Sequence, residues 1–201
     1  IPAQLIEAAS DKHLWSETYD RELTDIFAIQ DEISAAIVEA LKTKLGLNIK
    51  VVPRDMSKVN PDAHNEYLKG RFYIENRNQA DIETALGHFD NAVMLAPDYA
   101  PAWMGKGWAT VFLTESLYGN IPNEVALDRA KLAIEKALQL EPEMPEAHGI
   151  MALIEEDSFE TNKAISHFKK AIELNPNYAD ALSWYSNILT GQPDKRLALV
   201  E

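Results

Sequence analysis

The chain has 201 residues, 46% of them hydrophobic, with 32 acidic against 19 basic side chains and a formal net charge of −13. Length and apolar content suit one large domain or two small ones. The acidic surface repels nucleic acid and anionic lipid and favours neutral or basic partners, besides aiding solubility. The absence of cysteine excludes disulfides, thiol catalysis and thiolate metal sites, and no run of about 18 apolar residues offers a membrane span.

The opening IPAQLIEAA lacks a basic leader and a small-residue cleavage site, so it is expected to be the interior of a longer protein and not a signal peptide. Residues 3–9 (AQLIEAA) and 14–19 (LWSETY) alternate roughly and are joined by Ser10-Asp11-Lys12-His13, which predicts a β-hairpin over 3–19. Two strands alone are marginal in water, so the hairpin either packs on helices or belongs to a larger sheet. Over 25–45 the apolar residues Ile26, Ile29, Ile33, Ile37, Leu41 and Leu45 recur at three- and four-residue steps. This predicts an amphipathic helix capped by Thr24 or Asp25 and ended by Gly46. Residues 51–60 read as the linker that closes this first segment, and Asn60-Pro61 as the start of the next helix.

Three later segments end alike: Ala85-x3-Phe89-x2-Ala92-x4-Pro97, Ala130-x3-Ile134-x2-Ala137-x4-Pro142 and Ala164-x3-Phe168-x2-Ala171-x4-Pro176. Alanine lets two antiparallel helices approach closely, the bulky residue fills the gap to the next unit, and proline cannot continue a helix. The prolines lie 45 and 34 residues apart. Thirty-four is a helix-turn-helix repeat period, and the excess in the middle unit falls in the loop around Thr114 to Pro122. The units run over about 61–99, 100–144 and 145–178, with a partial fourth at 179–201. Trp103 and Gly107 take the large and small places of one first helix, and His148 and Ala152 those of the next.

These residues resemble the tetratricopeptide-repeat (TPR) family over 61–201. The resemblance implies a mainly α fold: an antiparallel helix-pair solenoid, or α-α superhelix, preceded here by the short hairpin and a linking helix. The segment AQLIEAASDKHLWSETYDRELTDIFAIQDEISAAIVEALKTKLG resembles the end of a TolB-like domain, within 1–50, that precedes TPR arrays in bacterial signalling proteins. Such proteins carry class III adenylate/guanylate cyclase or winged-helix domains, and a parent of that kind would place this region in the cytoplasm or the periplasm. None of the cyclase or DNA-binding motifs occurs in this chain.

No catalytic, metal or cofactor motif emerges. His13, His64, His88, His148 and His167 form no HExxH and no i, i+4 pair. His64 and His148 read as packing residues, and His88 and His167 as helix-surface residues. Glu155-Glu156-Asp157-Ser158 with Glu160 reads as a solvated turn. The chain is therefore expected to be a non-catalytic protein- or peptide-binding module, or else the self-association module of a larger protein, with no contact to nucleic acid or membrane. The family register places Leu68, Phe72, Met104, Trp108, Phe112, Leu153 and Asn187 in a peptide groove formed by the first helices. Leu68, Phe72, Met104 and Trp108 stand where chaperone-tail binders carry lysine and asparagine, so a carboxylate clamp is not expected. Phe72, Met104, Trp108 and Phe112 are instead either an exposed apolar strip suited to an amphipathic helix with basic edges, or core aromatics covered by the 25–45 helix.

Overall fold

The computed structural model describes residues 2–7, 12–18, 26–45, 59–114 and 116–191. The chain divides into two compact units, 1–59 and 60–201.

In the first unit, β1 (Pro2–Glu7) pairs antiparallel with β2 (Lys12–Thr18). The register runs from Pro2↔Thr18 to Leu5↔Trp15 and resumes at Ile6↔His13, so Leu14 is an extra residue that bulges the second strand. Lys12 and His13, read from sequence as part of the turn, belong to the strand. Helix α1 (Ile26–Leu45) follows. Ile33, Ile37 and Leu41 on its apolar stripe are half-buried, whereas Ser34 and Glu39 are exposed. The expected caps at Thr24, Asp25 and Gly46 and most of the expected linker lie outside the described residues.

The second unit is helical: α2 (Pro61–Ile74), α3 (Gln79–Leu95), α4 (Ala100–Phe112), α5 (Asn123–Leu140), α6 (Pro145–Asp157), α7 (Thr161–Leu174) and α8 (Ala179–Gly191). The local signals act as their chemistry requires. Asn60 caps α2, its Oδ1 accepting from the Asp62 amide at 2.9 Å, with Pro61 in the first turn where no donor is needed. Asn78 caps α3 through the Asp81 amide at 3.1 Å. The second helices end at Leu95, Leu140 and Leu174, two residues before each repeat proline. The next amide bonds back to Ala92, Ala137 and Ala171 in turn.

Helices pair as α2/α3, α4/α5 and α6/α7, and each pair leans on the next. The repeated triplets form the core: Ala85, Phe89 and Ala92; Ala130, Ile134 and Ala137; Ala164, Phe168 and Ala171 are all fully buried. Burying each large member contributes roughly 1.5–3 kcal/mol. Close approach is enforced at Gly107, where a Cβ would sit 2.5 Å from the Ile134 side chain and 3.2 Å from the Ala130 carbonyl. The first helices α2, α4, α6 and α8 contact one another in sequence and so form one layer, with α3, α5 and α7 forming the other.

Candidate functional site

The layer of first helices carries the residues expected in the groove, and the structure treats them unequally. Leu68 and Phe72 on α2 are exposed, at 46% and 70%, with the Phe72 ring standing edge-on to Tyr73. Met104, Trp108 and Phe112 on α4 are buried, at 3%, 7% and 5%. The apolar strip is therefore not one continuous exposed surface: its α2 part faces solvent and its α4 part is core. The reason is local in part. Residues 116–122 return over the end of α4, placing Tyr118 edge-on to Phe112 with ring centroids 5.5 Å apart. Arg77 lays its guanidinium over the same ring, 5.7 Å from its centroid. Trp108 packs edge-on to Phe112 at 5.7 Å, and its indole N–H is buried without an acceptor, which costs about 1–3 kcal/mol in an unoccupied site.

Three of the expected residues converge. Phe112 from α4, half-buried Leu153 from α6 and exposed Asn187 from α8 line one cavity of about 270 Å3. Trp184 and Val111 complete its apolar wall, and Arg77 and Glu156 supply charge at its mouth. Burial, then the neighbouring Asp157 charge, raises the Glu156 carboxyl above its ordinary range. The cavity thus offers an apolar floor, an amide from Asn187, one guanidinium from Arg77 and two carboxyls from Glu156 and Asp157.

The α6/α7 pair corrects two readings of the sequence. Glu155 is not in a solvated turn: it lies within α6, 6% exposed, with Oε2 unpartnered. Burial raises its carboxyl above the ordinary range. His167 is not a free surface residue either, for its Nδ1 lies 2.8 Å from Nδ1 of His148. Because His148 Nε2 lies 3.0 Å from the Pro142 carbonyl, which can only accept, His148 carries its proton on Nε2 and His167 donates from Nδ1. The other edge of His167 then faces Glu155 Oε1 at 3.8 Å. Nothing in the spacing of His148, His167 and Glu155 announces this meeting. It follows from the packing of α7 on α6. Among the described residues no group of three metal-ligating side chains forms, and no described helix is long and apolar enough to cross a membrane.

Paired helices of this length, stacked on alanine seams with a bulky residue between, define a tetratricopeptide-repeat array, and this chain carries one. Residues 145–178 match the tetratricopeptide-repeat family itself. The TPR domain of Sgt2 from Aspergillus fumigatus shares the fold with a TM-score of 0.54 and 15% identity, over 72% of this chain and 87% of that one. The first TPR of Spaghetti (RPAP3), bound to the HSP90 peptide SRMEEVD, is similar with a TM-score of 0.51 and 14% identity, over 66% of this chain and 94% of that one. In sequence, the chain is 30% identical over 156 residues to "Putative adenylate cyclase 3" of Rhizobium meliloti (strain 1021), a match covering 76% of this chain. It spans 26% of that protein's length.

Proposed function

We propose that the array is a non-catalytic peptide-binding module within a larger signalling protein, of the cyclase-type or transcription-regulator kind. In this reading residues 1–50 are the end of a TolB-like domain, and the ligand lies along the layer of first helices. The observation that carries the proposal is the cavity joining Phe112, Leu153 and Asn187 across three successive helices. An apolar anchor from a ligand would fill the floor, and the Asn187 amide would hold its backbone. Support comes from a related fold seen with a peptide bound and from the match to a protein named as a cyclase. The carboxylate clamp has no counterpart here, since Leu68 and Phe72 are apolar and Met104 and Trp108 are buried.

The test uses two labelled peptides and fluorescence anisotropy. One is an amphipathic helix of leucine and lysine at helical spacing; the other is SRMEEVD. The basic helix is expected to bind, and Leu153→Lys and Asn187→Lys to weaken it at least about tenfold, equivalent to about 1.4 kcal/mol. SRMEEVD is expected not to bind. Tight binding of SRMEEVD, or indifference of the basic helix to both substitutions, would refute this assignment.

A further inference from the structure

The opposite layer carries a second, larger depression. Helices α3 and α5 both pack on α4, and between them lies a furrow of about 550 Å3. Its floor is apolar, made by Leu86, Trp103, Ile121, Leu132 and Ala133. Trp103 is pinned there by its indole N–H, which donates to the Pro97 carbonyl at 2.9 Å. Leu132 is 68% exposed.

One position sets this unit apart from its neighbours. The position just before the bulky core residue is His88 in the first unit, Ala133 in the second and His167 in the third. His88 donates from Nδ1 to the Glu66 carboxylate at 2.7 Å and stacks on Tyr73. His167 bonds to His148. Both histidines fill the space beside their first helix. Ala133 does not, and the half-buried Trp103, with the Lys106 ammonium 5.8 Å from its ring centroid, lines the furrow.

The rim is basic in an acidic protein: Lys106, Arg129 and Lys136 against Asp90 alone. Lys106 pairs with Asp90 at 2.6 Å. Among the described residues no acidic side chain pairs with Arg129 or Lys136.

The same chain carries a complementary projection. In the turn between α6 and α7, Phe159 is 94% exposed and sits at φ 61, in the left-handed region that disfavours a bulky side chain. Asp157 and Glu160 flank it in the chain, with Lys163 paired to Glu160. An aromatic held outward on an acidic turn matches an apolar furrow with a basic rim in both shape and sign.

We propose that the chain self-associates by inserting Phe159 of one copy into the α3/α5 furrow of a second copy. The Phe159 ring rests against Trp103, Leu132 and Ala133, and Arg129 and Lys136 face the acidic turn. The contact is heterologous, a knob on one surface and a hole on another, so two copies close on each other only if both contacts form at once.

Sedimentation equilibrium on the chain tests this. Wild type is expected to associate at low ionic strength and to weaken as salt rises. Phe159→Gly is expected to remain monomeric at the same concentrations while its unfolding midpoint rises, because glycine accepts φ 61 without cost. That combination separates loss of contact from loss of fold. Ala133→His, which copies the neighbouring units and fills the furrow, is expected to be monomeric as well. Lys136→Asp or Asp157→Lys alone should weaken association and the two together restore it. A wild type monomeric at every concentration overturns the proposal, as does a Phe159→Gly or Ala133→His variant that associates like wild type. Binding of the basic helix to the first-helix layer is expected to survive Phe159→Gly, so the two assignments stand or fall separately.

Discussion

Gly105 and Gly87 both sit inside helices, and the structure assigns their replacement by alanine opposite signs. In isolation either change stabilises a helix by about 1 kcal/mol, since alanine loses less backbone freedom on folding. Gly87 on α3 is exposed, and a Cβ there meets nothing within 4 Å. Gly87→Ala should therefore stabilise by about 0.5–1 kcal/mol. At Gly105 on α4 a Cβ would stand 2.4, 2.5 and 2.8 Å from three atoms of the Phe89 ring. Carbon atoms need about 3.5–4.0 Å, so the ring must retreat by about 1 Å or more. It has no room: Phe89 is fully buried, and the same ring edge already abuts Gly70, where a Cβ would lie 2.6 Å away. Overpacking of this kind costs about 1–3 kcal/mol. Three contacts under 3 Å argue for the upper part of that range, so after subtracting the propensity gain the net is a loss of about 1–2 kcal/mol. At about 2–4 °C per kcal/mol, thermal unfolding followed by circular dichroism should drop by several degrees, while Gly87→Ala raises it. Phe89→Leu should be less costly in the Gly105→Ala background than in wild type, a favourable coupling visible in a double-mutant cycle. If Gly105→Ala proves as stabilising as Gly87→Ala, the claim that this ring is wedged between α2 and α4 is wrong.

Glu155→Gln should stabilise the fold at neutral pH. The native carboxyl is raised above its ordinary 4.5 by burial, so the folded state holds that proton more tightly than the unfolded state, and stability is lost as pH rises through the raised value. Denaturant titrations at pH 7 and pH 4 should show the gain at the higher pH and its disappearance at the lower. His167 carries the opposite sign. Burial, then His148, holds it below its ordinary 6.5, so its share of stability is present above that value and fades as pH falls beneath it. His167→Gln should flatten the loss below pH 6.5 in the same titration. Asn60→Ala removes the α2 cap, which also donates from Nδ2 to the Leu95 carbonyl at 3.3 Å, and should cost about 1 kcal/mol in urea unfolding. Phe168→Ala, which empties a fully buried ring site beside Trp184 and Tyr185, should cost about 3–5 kcal/mol.

The helical architecture was legible because its signals are local. Asn60-Pro61 starts a helix wherever it occurs in such a context. The Ala-x3-Phe-x2-Ala seams mark which face of each second helix must be buried, whatever it packs against. Even the middle unit's loop was visible, as a 45-residue step between prolines where its neighbour has 34. The groove was only partly legible. Phe112, Leu153 and Asn187 line one cavity, but the register could not assign exposure. Phe72 and Trp108 read as equivalent aromatics on first helices, yet one is 70% exposed and the other 7%.

The sequence by itself determined the period, the helix ends and the identity of the core seams, because each depends on residues within about one turn of one another or on a repeat spacing. Tertiary structure alone decided what meets across helices: His148 with His167, Arg77 over Phe112, and the furrow that opens where Ala133 replaces a histidine. Those contacts join side chains 19 to 35 residues apart, through helix packing that no periodicity encodes. They depend on volumes and directions that exist only once the helices have docked.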